Sequence, residues 1–160
     1  MENDLIRLLE GKTERILFVG IGNVLRKDDG IGVYTARQIK ESGRIMKLLA
    51  EVSLENYISK INRMQADEVV LIDCIDFGRE PGYWALLPVE LTDGPALQSH
   101  HLSLAKLKEF FAPPIQVLGI QPADIGVGER LHASVKEAGD RIASIISAYS
   151  TLMFPAEIIH

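Results

Sequence analysis

Three groups of polar residues in this 160-residue chain have the chemistry to bind a metal ion. Asp28 and Asp29 follow a glycine turn, and Asp73 closes an apolar segment. The third group is the histidine pair His100-His101, just before a predicted helix. Carboxylates and imidazole together suit a divalent transition metal. Acids beside a helix start also serve as simple caps, so Asp28 is expected to be a cap and Asp29 either a cap or a cation ligand.

The glycine turn has the outline of a nucleotide-binding loop but lacks its essential residues. A dinucleotide-binding turn needs a third glycine where this chain has Leu25. A phosphate-binding P-loop needs serine or threonine after its lysine, whereas Lys27 is followed by Asp28. Two carboxylates in the loop would also repel a pyrophosphate. The pattern therefore argues against nucleotide binding.

Asp73 lies in the apolar run VVLIDCIDFG, where an unpaired charge is costly. Its carboxylate needs a cation, a hydrogen-bond donor or a base, while Asp76 is expected to be solvated or capping. Cys74, the single cysteine, is expected to be a buried and inert thiol rather than a nucleophile. The sequence contains no HExxH helix and no apparent serine or cysteine catalytic set.

Strand and helix patterns alternate along the chain and predict how these residues are positioned. The fold class expected is α/β, a three-layer sandwich with a mostly parallel twisted sheet, one antiparallel strand and helices on both faces. In such sheets the site lies outside the carboxyl ends of the strands. The antiparallel strand, 83–87, is expected to pair with its predecessor because the connection is short. Predicted strands cover 16–19, 45–50, 69–72, 83–87 and 115–120, and predicted helices cover 4–10, 30–41, 54–64 (with Ser53 as the N-cap), 102–111 and 130–149.

Composition excludes several classes of protein. The net charge of -5 and pI of about 5.4 argue against nucleic-acid binding. The apolar runs are too short to span a bilayer, and the first residues lack the apolar core of a signal peptide. A single cysteine fits a reduced cytoplasmic setting. One domain over 1–160 is expected, with an N-terminal extension at 1–14, a tail at 150–160 and a monomeric state.

Four segments in sequence order resemble the hydrogenase maturation endopeptidases, which trim the C-terminal extension from the large subunit of nickel–iron hydrogenases. The matching segments lie within about residues 15–148, and the last is similar to the branch that processes hydrogenase-3-type subunits. The segments are GIGNVLRKDDGIG at 20–32, IDCIDFG at 72–78 with EPG at 80–82, SHHLSLAKL at 99–107, and LGIQPADIG at 118–126.

The resemblance implies a specific site. Asp29, Asp73 and His100 match the family's metal-binding and catalytic positions, and His100 aligns better than His101. Asp28 matches an acid that is structural. The implied enzyme is a nickel-dependent endopeptidase, aspartic-type or metal-assisted, acting on a hydrogenase large-subunit precursor. The nickel would be supplied by the substrate, and zinc or cadmium could substitute in the isolated protein.

One segment departs from the family, and two other functions stay open. The family's Asp-Gly-Gly-like turn, implied to handle substrate, is replaced here by AEVS at 50–53. A non-proteolytic metal-checkpoint or chaperone protein that binds the large subunit could use the same triad, and a generic α/β small-molecule hydrolase is a third possibility. The remaining residues of interest are expected to have ordinary roles: Trp84 in packing, Gln121 and Pro122 in shaping a loop, and Asp124 in a turn. His101 is expected to be a surface or capping residue, and His132 and His160 are expected to be solvated.

Overall fold

The protein is built around a mostly parallel β-sheet. The computed structural model describes residues 2–93, 98–99 and 103–152, with the backbone alone at 98–99 and 151–152. The main sheet has the order β2-β1-β3-β6-β4, and β5 pairs with β3 outside this path. The strands are β1 (Ile16–Ile21), β2 (Ile45–Glu51), β3 (Glu68–Asp76), β4 (Trp84–Pro88), β5 (Gln98–Ser99) and β6 (Ile115–Ile120).

Helices cover both faces of this sheet and create two apolar cores. Helices α1, α2 and α5 pack on one face and α3 and α4 on the other. Residues along each strand alternate between the two cores, as Leu17 and Phe18 do in β1. The expected three-layer α/β sandwich is therefore confirmed. The helices are α1 (Glu2–Glu10), α2 (Ile31–Arg37), α3 (Ile58–Arg63), α4 (Leu104–Leu107) and α5 (Ala133–Leu152).

The antiparallel strand has a different neighbour from the one expected. β4 pairs with β6, with Trp84 opposite Ile120, and not with its predecessor β3. β6 lies between β3 and β4 and pairs in parallel with β3, starting at Val69 and Ile115. Seven connecting residues can extend to about 23 Å, which exceeds the roughly 10 Å across two strand spacings. The prediction failed because a short connection also permits a strand to be inserted between its two ends.

β3 is longer than the sequence predicts. It continues past Asp73 to Asp76 because β5 supplies a further antiparallel partner, with Ile75 opposite Ser99. Asp73 therefore lies within the strand, paired across the sheet with Gly119 of β6, and does not end it.

All five helices differ from their predicted bounds, with α1 starting earlier than 4 and α5 shifted by three residues from 130–149. The helix expected over 30–41 begins as a 3₁₀ turn, Lys27–Gly30, and α2 ends at Arg37. The segment after Ser53 forms a 3₁₀ turn, Leu54–Tyr57, before α3, and the Ser53 side chain makes no capping bond. α4 is followed by another 3₁₀ turn, Lys108–Phe110. Within the described ranges, no helix combines the length and apolar character needed to cross a bilayer.

Candidate active site

Two glycines allow the loop after β1 to pack tightly against the sheet. Gly22 has a φ of +130°, and a Cβ there would lie 2.0 Å from the carbonyl oxygen of Asp29. A Cβ on Gly32 would lie 2.1 Å from the carbonyl oxygen of Ile72 in β3. Side chains at either position would force these segments apart. The glycine turn thus brings the 27–30 segment onto β3, with no phosphate required.

Asp29 lies in this 3₁₀ turn, directly before α2. Its side chain is only 4% exposed, and its Oδ2 accepts a hydrogen bond from the backbone N–H of Asn23 at 3.0 Å. Asn23 also binds the loop from its other end, since its Oδ1 accepts a hydrogen bond from the N–H of Leu25 at 2.9 Å. Asn23 is thus a positioning residue that the sequence analysis did not identify.

Asp73 is fully buried in β3, and its Oδ1 accepts a hydrogen bond from the N–H of Cys74 at 2.8 Å. Burial raises the pKa of the Cys74 thiol, and the nearby carboxylates of Asp73 and Asp29 raise it further. The carboxylates of Asp28 and Asp76 contribute in the same direction, so several acidic groups surround this thiol near the carboxyl edge of the sheet. The raised pKa keeps the thiol protonated, which agrees with the expectation that Cys74 is not the nucleophile.

The proposed histidine ligand lies outside the described residues. This applies to His100 and equally to His101. Ser99, which precedes them, pairs with Ile75 two residues beyond Asp73. Within the described part of the chain, no three histidine, cysteine or acidic residues form a group suited to a metal ion. The assignment of the triad thus stays a prediction, with its two carboxylates on neighbouring elements.

Asp28 has a different role from Asp29, although both are buried. Its Oδ2 accepts hydrogen bonds from the N–H groups of Ala123 and Asp124, at 2.8 and 3.0 Å. Its Oδ1 accepts a hydrogen bond from the N–H of His132 at 2.8 Å, at the start of α5. Asp28 is therefore structural, as the sequence suggested. It caps no N–H of its own turn and instead binds the loop between β6 and α5.

Gln121 organises the neighbouring loop after β3. Its buried Oε1 accepts hydrogen bonds from the N–H groups of Phe77 and Arg79, at 2.6 and 3.2 Å. Its Nε2 donates to Oδ1 of Asp76 at 3.1 Å. The loop-shaping role expected of Gln121 is confirmed. The sequence feature that indicates this role is an amide side chain directly after a buried strand.

Other residues of interest have the structural roles that the sequence suggests. Asp124 forms an ion pair with Lys27, at 2.6 Å between Oδ2 and Nζ, and its Oδ1 accepts the N–H of Gly126. The Nδ1 of His132 accepts the N–H of Ser134 at 3.2 Å in the first turn of α5. Trp84 is 4% exposed and packs in the core.

An open groove of about 170 Å³ lies beside the glycine loop. It runs between the segment after β2 and α4, and apolar side chains dominate it. The carbonyl of Glu51 accepts the N–H of Gly22 at 2.9 Å, which joins the groove to the loop that contains Asp29. Glu51 has a φ of 57°, where glycine is favoured, so the atypical AEVS segment retains a left-handed turn. The lining residues are Ile21, Glu51, Val52, Leu54, Glu55, Leu104 and Leu107.

Proteins similar to this chain include hydrogenase maturation proteases. The [NiFe] hydrogenase maturation protease HycI from Thermococcus kodakarensis superposes with a TM-score of 0.79 at 29% identity, covering 91% of this chain and 98% of that one. A Methanocaldococcus jannaschii protein, provisionally described as a hydrogenase maturation protease, is 24% identical over 147 residues, which cover 83% of this chain and 86% of the relative.

A third relative matches over less of its own length. The hydrogenase expression/formation protein HupD of Bradyrhizobium diazoefficiens is 30% identical over 131 residues. The match covers 69% of this chain and 64% of HupD, so the chain spans less than two thirds of that relative. No family model matches the chain. The relatives described as proteases support the proteolytic interpretation over the chaperone interpretation.

Proposed function

The chain belongs to the hydrogenase maturation endopeptidase family, and we propose that it removes the C-terminal extension of a nickel–iron hydrogenase large-subunit precursor after nickel insertion. The similarity to the Thermococcus protease over nearly the full length of both chains supports the hydrolase class. We further propose that cleavage depends on nickel, that the substrate is the hydrogenase precursor, and that specific residues form the site.

The observation that carries the proposal is the pair of buried carboxylates at one edge of the sheet. Asp73 is fully buried and Asp29 is nearly so. The start of α2, directly after Asp29, packs on β3 next to Asp73, since a Cβ on Gly32 would lie 2.1 Å from the carbonyl oxygen of Ile72. Grouped carboxylates in a poorly solvated place repel each other, and a divalent cation would relieve that repulsion. The donor set therefore fits a metal ion that arrives with the substrate.

In the proposed mechanism, Asp29, Asp73 and His100 bind the nickel that the precursor already contains. Their role is to orient the precursor so that its scissile bond lies beside the metal. A bound divalent metal can polarise a carbonyl or lower the pKa of a water molecule. Hydrolysis then adds hydroxide to the carbonyl carbon and a proton to the departing amine. Three ligands leave coordination positions open for the substrate.

The groove beside the glycine loop is the proposed location of the extension. It is continuous with the Asp29 loop through the Glu51–Gly22 hydrogen bond. A peptide in an extended conformation could lie along its apolar floor, with polar backbone facing solvent. The left-handed turn at Glu51 sets one wall, so the AEVS departure is expected to alter substrate choice.

Intact-mass spectrometry of a nickel-loaded large-subunit precursor tests the proposal. Incubation with the wild-type protein should remove a short C-terminal peptide. Asp29→Asn, Asp73→Asn and His100→Ala should each abolish this loss while leaving the thermal unfolding midpoint close to that of the wild type. Asp67→Asn is a matched control, because Asp67 is an exposed carboxylate at the opposite edge of the sheet.

Three outcomes would contradict different parts of the proposal. A wild-type protein that leaves a cleavable, nickel-loaded precursor intact would reject the protease assignment. Normal cleavage by all three variants would reject the site. Cleavage of nickel-free precursor at the same rate would reject the dependence on substrate nickel.

A further inference from the structure

Two exposed apolar side chains stand beside the candidate active site. Leu25 is 57% exposed and Val127 is 90% exposed. Single exposed apolar residues are ordinary on protein surfaces. These two are adjacent, because the N–H of Gly128 donates to the carbonyl of Leu25 at 2.9 Å and Val127 directly precedes Gly128. We call this pair the Leu25–Val127 knob.

The backbone that carries the knob is tightly fixed. Arg26 and Gly128 form a parallel bridge, completed by a 2.7 Å bond from the Lys27 N–H to the Gly128 carbonyl. The side chain of Lys27 packs against Gly128, because a Cβ on Gly128 would lie only 3.3 Å from the Cε of Lys27. Lys27 has a φ of 47° and Gly128 a φ of +142°, both in the left-handed range. Conformations of this kind persist only where surrounding contacts enforce them.

Buried hydrogen bonds add to this rigidity on both sides of the knob. The carboxylate of Asp28 accepts three backbone N–H bonds from the 123–132 segment, which contains Val127. The Lys27–Asp124 ion pair crosses the same two loops. Exposed apolar groups gain nothing for the folded monomer from being held in place. Their rigidity does favour association, because little conformational entropy remains to be lost on binding.

The knob is directly connected to the candidate active site. Asn23 accepts the N–H of Leu25 and donates its own N–H to Asp29. A precursor that brings its scissile bond to Asp29 must therefore cover the neighbouring surface. Two exposed arginines, Arg26 and Arg130, flank the knob, and neither forms an ion pair within the described residues. The exposed Glu129 lies beside Arg130, and Lys27 is paired with Asp124, so the groups around the knob leave an excess of one positive charge in a chain of net charge -5.

We propose that the Leu25–Val127 knob is a docking surface for the folded body of the large-subunit precursor, which it meets at an apolar recess flanked by carboxylates. This inference rests on the proposed function, and it concerns the protein surface around the extension rather than the extension itself. The knob fixes the orientation of the precursor, while the carboxylate site acts on the bond. Interface residues of this kind affect affinity more than the chemical step.

Cleavage kinetics with nickel-loaded precursor separate the two roles. Val127→Asp should lower kcat/KM by at least about tenfold, chiefly through KM, because it places a charge in an apolar contact. Val127→Leu should retain most of the wild-type value. Arg26→Glu should lower kcat/KM and reduce its dependence on salt, because it removes an attractive charge. Thermal midpoints of all variants should match the wild type.

Phe110→Asp is the matched control. Phe110 is also exposed, at 65%, but it precedes β6 and so lies toward the opposite edge of the sheet. This variant should cleave at the wild-type rate. Equal kcat/KM values for Val127→Asp, Phe110→Asp and the wild type would overturn the knob proposal while leaving the protease assignment intact.

A binding measurement keeps the two proposals distinguishable. Precursor is immobilised and titrated with Asp73→Asn protein, so that the extension stays attached. Adding Val127→Asp to this background should weaken binding by at least about tenfold. Loss of binding with Val127→Asp, alongside a wild type that never cleaves, would support the knob and reject the protease. Unchanged binding would reject the knob.

Discussion

Adjacent aspartates in the glycine loop have separate tasks. Asp28 directs its carboxylate toward the backbone of the loop before α5, while Asp29 lies beside β3 and Asp73. The direction of each side chain follows from the 3₁₀ turn, in which successive residues point about 120° apart. One residue therefore fixes the loops and the next remains at the candidate active site.

Asp28→Asn should destabilise the fold. An amide has a single acceptor oxygen, so at least one of the three buried N–H donors would lose its partner and meet an NH₂ group. The free energy of unfolding should fall by about 2 kcal/mol. Urea unfolding at neutral pH measures this change. Asp67→Asn, which loses one exposed contact to the N–H of Arg15, should cost less than about 1 kcal/mol. Equal costs for the two variants would contradict the structural role of Asp28.

Cys74 should be chemically silent in the native protein. Burial and the surrounding carboxylates raise the pKa of its thiol, so the thiolate needed for alkylation is scarce. Iodoacetamide at pH 8 should modify Cys74 only after denaturation, as read by intact mass. Cys74→Ala should also cleave precursor at the wild-type rate. Rapid native alkylation with loss of cleavage would instead implicate the thiol.

At the scale of elements, the two loops at the carboxyl edge form one unit. The 23–30 loop and the 121–132 loop share the Lys27–Asp124 ion pair, the Arg26–Gly128 bridge and the three bonds to Asp28. The knob and Asp29 therefore share one support. A change that loosens either loop should affect docking and the site together.

The ion pair makes the coupling of these loops sensitive to acid. The hydrogen bond from Lys27, followed by that from the Gly126 N–H, holds the pKa of Asp124 below its ordinary value. Its stabilisation is complete above the unfolded-state pKa of about 4 and is lost as the pH falls through the lower folded-state value. Urea midpoints of the wild type and Asp124→Asn should differ by a constant amount between about pH 5 and 7 and converge in more acidic solution.

A gap between these two midpoints that persists undiminished to pH 3 would contradict this assignment. The Asp140→Asn variant serves as a comparison, because Asp140 accepts its hydrogen bond from the neutral hydroxyl of Tyr34 and not from a cation.

For the whole molecule, periodicity and buried apolar runs predict the layers of the fold correctly. Ile16–Ile21 is a continuous apolar run and Ile115–Ile120 is apolar except for Gln116, so the presence of both strands was predictable from local pattern. The strand that pairs with β4 could not be predicted from local pattern, because strand order depends on contacts between residues far apart in the sequence. The same limit applies to β3, whose last residues depend on pairing with Gln98–Ser99.

The candidate site was predictable in part. Asp29 and Asp73 follow from a glycine turn and an apolar run, features visible in a short window. Asn23 was not identified, because its role combines a side-chain oxygen that accepts the Leu25 N–H with a backbone N–H that donates to the Asp29 carboxylate. The partners of Asp28 likewise could not be predicted, because they lie about 100 residues away in the sequence, at Ala123, Asp124 and His132.

The position of β4 has a consequence for how the protein folds during its synthesis on the ribosome. Residues 84–88 are synthesised before 115–120, the segment that lies between them and β3 in the finished sheet. At about 5–20 residues per second, the interval is roughly 2 to 6 s. During that time β3 and β4 each lack their common neighbour, and an apolar strand edge stays open to other chains. A protein that completes the maturation of another enzyme must therefore wait for the synthesis of residues 115–120 before its own central sheet can close.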